Sequence, residues 1–221
     1  MGASSKKFYH GNERLSKEFS FIDIYYTERY NDRMDNPTKI LDCTLELISA
    51  RGYDAVGIQE IVETAGVTKP TLYHYFNSKR GLLDQLLANN FDKLIEVVSQ
   101  STEYKGDLVL TLEKTARAYF TFARENPKFY RMQLSMYFAS PDSEPNQAVA
   151  GYNRKQYELL ENLFIQAVKD HGNMRGRHQL YAATFTGMIN TYIGLFLNGH
   201  IELTDQLVYQ AVHQFMHGIF A

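Results

Sequence analysis

Residues 58–79, Ile58-Gln59-Glu60-Ile61-Val62-Glu63-Thr64-Ala65-Gly66-Val67-Thr68-Lys69-Pro70-Thr71-Leu72-Tyr73-His74-Tyr75-Phe76-Asn77-Ser78-Lys79, decide how this chain reads. Ile58, Ile61, Val62 and Ala65 fall at i, i+3, i+4 and i+7, the spacing of a short amphipathic helix. Gly66 supplies a sharp turn, because without a Cβ it enters left-handed backbone at little cost. Thr68 is a good helix cap, and the helix it opens is predicted to run to about Phe76 with Leu72, Tyr75 and Phe76 facing inward. Asn77 and Ser78 break it, and a long helix starts near Lys79.

Upstream, Asn36-Pro37 begins a longer helix: Asn36 suits a cap and Pro37 the first helical turn, where a missing N–H costs nothing. Ile40, Leu41, Thr44, Leu47 and Ile48 form its apolar face, and Gly52 can end it. Two short helices joined by a glycine turn, behind a longer supporting helix, make the helix-turn-helix plan, whose second short helix enters the major groove of DNA. Lys69, Pro70, Thr71, Tyr73 and His74 are expected outward or at the rim. The whole chain carries a formal net charge of -2, yet Gly66 to Leu83 holds Lys69, Lys79 and Arg80 and no acidic residue. Any DNA-binding surface is therefore a local patch. Lys69 can donate to guanine O6 and N7. Thr68 and Tyr73 offer hydroxyls to phosphates, and His74 can donate from either ring nitrogen. Lys79, beside the free amides of the helix it begins, can hold a further phosphate. Pro70 and Thr71 are small enough to let the backbone approach and touch a thymine methyl.

Gly52-Tyr53, Ile58 to Ile61, Ala65-Gly66-Val67-Thr68, Thr71 to Phe76, Ser78-Lys79 and Leu82-Leu83 together resemble the DNA-binding domain of the TetR family of transcriptional regulators. The likeness covers roughly residues 36 to 85. Four positions depart from the family pattern. Val56 and Gly57 stand where Thr or Ser usually caps the second helix, Pro70 where Gly is frequent, and Val62 where Ala is. The first departure removes a side-chain phosphate contact. The resemblance implies an all-α fold in three parts: an N-terminal extension (1–35), a three-helix DNA-binding domain (36–84), and a helical ligand-binding and dimerisation domain (85–221). It also implies a homodimer on a palindromic operator of double-stranded DNA, repression as the default, and release by a small molecule. The inducer would favour a conformer in which the helix around Leu82 to Ile95 moves the reading heads to the wrong spacing.

Beyond residue 100, helices are expected near 107–125, 127–139, 146–170, 177–198 and 204–220, broken at Gly and Pro positions. Aromatic and methionine side chains fill the middle helices, and Phe122, Met136, Tyr137 and Tyr157 are the candidates to line a cavity for an apolar or aromatic ligand. Arg117, Arg124, Arg131 and Arg154 are available to anchor an anion, with exposed ion pairing as the plainer role. In the last two helices, Met188, Tyr192, Leu195, Val208, Val212 and Phe215 belong to apolar stripes that suit a dimer interface, and Gly187 and Gly194 would permit close helix approach.

Composition limits other functions. A single cysteine, Cys43, excludes an intrachain disulfide and a Cys-rich metal site. No Glu-x-x-His pair occurs, so the common di-iron bundle signature is missing. A helical-bundle enzyme or metal protein is the alternative reading, with His213 and His217 at i, i+4 as its only candidate ligand pair. No cofactor, metal or membrane is expected. The longest clearly apolar run, Tyr192 to Leu197, is far short of a membrane span, and Lys6-Lys7 is not followed by the apolar stretch of a signal peptide. The reading is a soluble, cytoplasmic protein. Residues 1–35, with six basic and six acidic side chains and seven aromatics, read either as an arm reaching DNA or as a packed extension.

Overall fold

In the computed structural model, residues 35–218 are described, and every regular element among them is helical. The helix expected after Asn36-Pro37 is α1 (Asn36–Arg51), followed by α2 (Ile58–Ala65), α3 (Lys69–Phe76) and α4 (Lys79–Ser101). Then come α5 (Leu108–Glu125), α6 (Pro127–Tyr137), α7 (Glu144–Ala167), a short 3-10 turn at Gly172–Met174, α8 (His178–Leu197) and α9 (Asp205–His217). The readings of residues 1–34 and of Ile219 onward lie outside the described residues.

Side-chain caps start most of these helices. Thr68, Ser78, Asp107, Ser143 and Thr204 each accept a hydrogen bond from the backbone N–H three residues on. Pro145, expected in the break, sits instead in the first turn of α7, where proline is tolerated. The ends of the predicted helices agree to within a few residues, as fraying and capping allow.

α1, α2 and α3 close on a small core of Ile40, Ile48, Val56, Ile61, Leu72 and Phe76, all buried. α4 packs against α3 and also against α5 and α7, so it joins the first three helices to the later ones. Its apolar ridge of Leu83, Leu87, Phe91, Leu94 and Val98 is fully buried. Phe91 stacks on Tyr152 of α7 at 4.4 Å and meets Phe129 of α6 edge-on at 5.1 Å. α1 also packs directly against α6, an extensive contact that the sequence did not announce.

α8 corrects the expectation of short apolar runs. Over its 20 residues it carries no Asp, Glu, Lys or Arg and reaches a mean hydropathy of 1.2, long and apolar enough to cross a membrane by length and composition alone. One face, Ala182, Phe185, Ile189 and Ile193, is buried within the chain, as in a packed bundle helix. The opposite face is open: Leu180 is 69% exposed, and Ala183, Thr184, Gly187, Thr191 and Leu195 continue the stripe.

Candidate nucleic-acid interface and ligand chamber

The turn between α2 and α3 is built from backbone hydrogen bonds. Gly66 adopts φ 66°, its N–H reaches the carbonyl of Glu63 at 3.2 Å, and the N–H of Val67 reaches that of Val62 at 3.0 Å. This paired closure requires a left-handed residue, which glycine provides. α3 then starts at Thr68, whose Oγ1 accepts from the Thr71 N–H at 3.3 Å and lies 2.8 Å from the Thr71 hydroxyl. Leu72 and Phe76 anchor α3 in the core, and the rest of it faces solvent.

Thr68, Lys69, Pro70, Tyr73 and His74 are exposed and Thr71 is half-buried at the rim, as their spacing predicts. Tyr75 is different. The sequence places it inward, but it is 43% exposed, and its ring meets that of His74 edge-on at 5.1 Å. In an eight-residue helix the single contact turn holds Leu72 and Phe76, four apart, while Tyr75 lies about 60° short of Leu72 on the helical wheel. It therefore joins the outward face with Tyr73 and His74.

Lys79 also departs from expectation. Its Nζ donates to the Tyr53 carbonyl at 2.7 Å and lies 4.0 Å from the centre of the Tyr53 ring. It braces the loop between α1 and α2 and does not stand free for a phosphate. Arg80 is paired with Asp84 at 2.7 Å. Of the three basic residues between Gly66 and Leu83, Lys69 is the one without a hydrogen-bond or ion-pair partner among the described residues.

The reading unit is tied to the rest of the chain at defined points. The Tyr53 hydroxyl donates to Glu144 Oε2 at the start of α7, 3.0 Å away. Burial, then that hydrogen bond, pushes the Tyr53 phenol well above its ordinary value, so it remains the donor. Lys128 at the start of α6 pairs with Glu46 of α1. Gly81 presses on the end of α3: a Cβ there would lie 2.1 Å from the Phe76 carbonyl oxygen.

A chamber of about 640 Å³ opens between α6, α7 and α8, with walls that include Leu134, Tyr137, Phe138, Tyr157, Gly187 and Asn190. That volume suits a small-molecule ligand. Of the four expected ligand contacts, Tyr137 and Tyr157 line it. Phe122 and Met136 do not: both are buried in the core, Phe122 packed edge-on against Phe129 at 6.1 Å. Both sit among core side chains, a placement that an apolar-residue count cannot tell from a cavity wall.

The expected interface residues also divide. Met188, Tyr192, Leu195 and Phe215 retain exposed surface. Val208 and Val212 are buried within the chain, where α9 packs on α5, so they cannot offer surface to a partner. A Cβ at Gly187 or Gly194 would meet nothing within 4 Å, so α8 is open there. His213 and His217 are exposed with ring centres 4.6 Å apart, and no group of three or more His, Cys, Asp or Glu residues is placed to hold a metal ion among the described residues.

Two short helices joined by a glycine turn and packed on a supporting helix, in a chain whose further helices enclose a ligand-sized chamber, define the helix-turn-helix class of all-α proteins. Residues 40–86 match the family of bacterial regulatory proteins, tetR family. The chain is 38% identical over 177 residues to the HTH-type transcriptional regulator YvdT of Bacillus subtilis, covering 77% of this chain and 90% of that one. The protein belongs to the TetR family. It is also 34% identical over 94 residues to the HTH-type transcriptional activator FasR of Mycolicibacterium smegmatis, covering 42% of this chain and 43% of FasR. The chain thus spans half or less of the length of several curated relatives it matches. In three dimensions it resembles the FadR regulator of Bacillus subtilis, solved with stearoyl-CoA, with a TM-score of 0.70 at 19% identity, covering 82% of this chain and 98% of FadR.

Proposed function

We propose that this protein is a sequence-specific DNA-binding transcriptional regulator: a homodimeric, cytoplasmic repressor released from a palindromic operator by a small molecule. The carrying observation is the outward face of α3. It presents Thr68, Lys69, Pro70, Thr71, Tyr73 and His74 with no acidic side chain among them, and Lys69 is unpaired among the described residues. Lys69 reads a base edge, the hydroxyls of Thr68 and Tyr73 hold phosphates, and Tyr75 adds a further phosphate contact. Lys79 and Tyr53 keep the reading head in register.

The exposed α8 stripe supports the dimer. An uncovered apolar helix face of this length favours burial against a second copy, and two reading heads about 34 Å apart address one face of the duplex. The chamber supports the ligand. FadR's bound stearoyl-CoA belongs to a protein of the same fold, and the cavity here has the volume for an apolar or aromatic molecule. α6 links the two functions, lining the chamber with Leu134 and Tyr137 while packing on α1. A ligand that favours one placement of α6 shifts α1, and with it α3, in addition to any movement of α4.

Operator selection from random duplexes with the purified full chain tests this reading. The expected result is enrichment of one palindrome with half-sites about one helical turn apart. Enrichment of no sequence, or binding that follows charge alone, would refute it.

A further inference from the structure

Behind the ligand chamber lies a smaller recess of about 60 Å³. The two spaces share Leu134, Tyr137, Tyr157, Thr186 and Asn190, so one opens onto the other. Their chemistry differs. The outer walls are mostly apolar or small, whereas the inner end gathers Tyr119 and the carboxamides of Gln133, Asn153, Gln156 and Asn190. Tyr119 is 2% exposed, and its hydroxyl has no hydrogen-bond partner among the described residues. A buried hydroxyl with no partner costs stability, and native proteins seldom keep one without a use. Burial pushes this phenol up, so it stays protonated and can donate. Beside it, the Tyr130 hydroxyl donates to Asn190 Oδ1 at 3.0 Å, which leaves Asn190 its N–H groups to offer.

Among the described residues, no Asp, Glu, Lys, Arg or His lines either space. Arg117 is paired with Asp205, Arg124 reaches the Leu203 carbonyl, Arg131 reaches the Leu197 carbonyl, and Arg154, exposed on α7, lines neither space. An anionic head in the recess would lose its water and find no cation, an expensive exchange. A neutral acceptor loses far less and would satisfy Tyr119.

Resting on the reading of this chamber as the ligand site, the geometry points to a ligand of one class: a mostly apolar molecule whose buried head is a neutral hydrogen-bond acceptor, a carbonyl or hydroxyl, held by Tyr119 and Asn190. Its apolar body fills the outer chamber against Leu134, Phe138 and Tyr157. An ordered water is the other occupant such a recess admits.

The test is calorimetric titration of the full chain with two matched pairs: methyl nonyl ketone against undecanoate, and methyl naphthyl ketone against naphthoate. Each is repeated on Tyr119→Phe, with urea unfolding of both proteins free of probe. At least one ketone is expected to bind, at least tenfold more tightly than its carboxylate. Tyr119→Phe should weaken that ketone about tenfold, as loss of one buried hydrogen bond does, and leave the unliganded protein as stable or more so. Carboxylates binding as tightly as ketones, ketone affinity unchanged in Tyr119→Phe, or no binding by either ketone would overturn the inference. Loss of stability in unliganded Tyr119→Phe would overturn it too, since the hydroxyl would then already be bonded to water only. The ligand-site reading stands or falls separately: it fails if no compound in a broad thermal-shift screen raises the melting temperature or frees the selected operator.

Discussion

Gly81→Ala tests how the reading helix is held. Gly81 lies in the first turn of α4, where its N–H donates to Ser78 Oγ at 2.9 Å. The added methyl would sit 2.1 Å from the Phe76 carbonyl oxygen and 3.3 Å from its carbon. Both are backbone atoms at the end of α3, so no side chain can rotate away. Restoring ordinary contact near 3.4 Å requires α3 and α4 to separate by about 1.3 Å. Overpacking of this kind costs about 1–3 kcal/mol. The displacement falls on the helix proposed to read DNA, so operator affinity should drop by a further ~1–3 kcal/mol, the value of one well-placed base contact. Gly151→Ala is the control, because that glycine lies mid-helix in α7 with nothing within 4 Å of the new Cβ. It should stabilise by about 0.5–1 kcal/mol through helix propensity. Urea unfolding and titration of the selected operator measure both effects. If Gly81→Ala matches the parent in stability and affinity, the packing argument is wrong.

Four further outcomes are expected. Lys69→Ala should weaken operator binding by about 1–3 kcal/mol and relax preference at one base position; a uniform loss across sequences would assign Lys69 to a phosphate. Tyr53→Phe removes the hydrogen bond to Glu144 and should cost about 1 kcal/mol in urea unfolding, with an unchanged midpoint as the contrary result. Leu180→Arg places a charge on the open α8 stripe away from the chamber and should leave the proposed dimer a monomer in sedimentation, without loss of helical signal. Tyr119 and Tyr130 are buried and their phenols raised, so their ionisation leaves folding stability unchanged well below pH 10 and lowers it as the pH rises through and above 10, because the unfolded phenols ionise first. Each contributes a slope that approaches about 1.4 kcal/mol per pH unit once the unfolded phenol is ionised, and Tyr119→Phe should remove about 1 kcal/mol of the loss between pH 10 and 11. Equal slopes for the two proteins would contradict the burial of that hydroxyl.

Much of the reading unit was legible because its signals are local. The i, i+3, i+4, i+7 spacing of α2, the left-handed need at Gly66 and the capping hydroxyl at Thr68 act within four residues, so the chain states them outright. Leu72 and Phe76 follow from the same spacing. Tyr75 did not, because a helix of two turns offers its neighbours only a narrow contact face, and the width of that face depends on where α1 and α2 lie.

By themselves, the residues determined the helical class, the order of the helices and, Tyr75 aside, the outward set on α3, since these depend on short-range backbone geometry and the period of apolar side chains. Tertiary packing decided the rest. It turned Lys79 onto Tyr53, buried Val208 and Val212 against α5, sent Phe122 and Met136 to the core, and brought Tyr119 and Asn190, 71 positions apart in the chain, to one recess. The physical reason is that an apolar or aromatic side chain is equally content in a core, a cavity wall or an interface. Which of these it meets is set by the neighbouring helix, and that neighbour is distant in sequence.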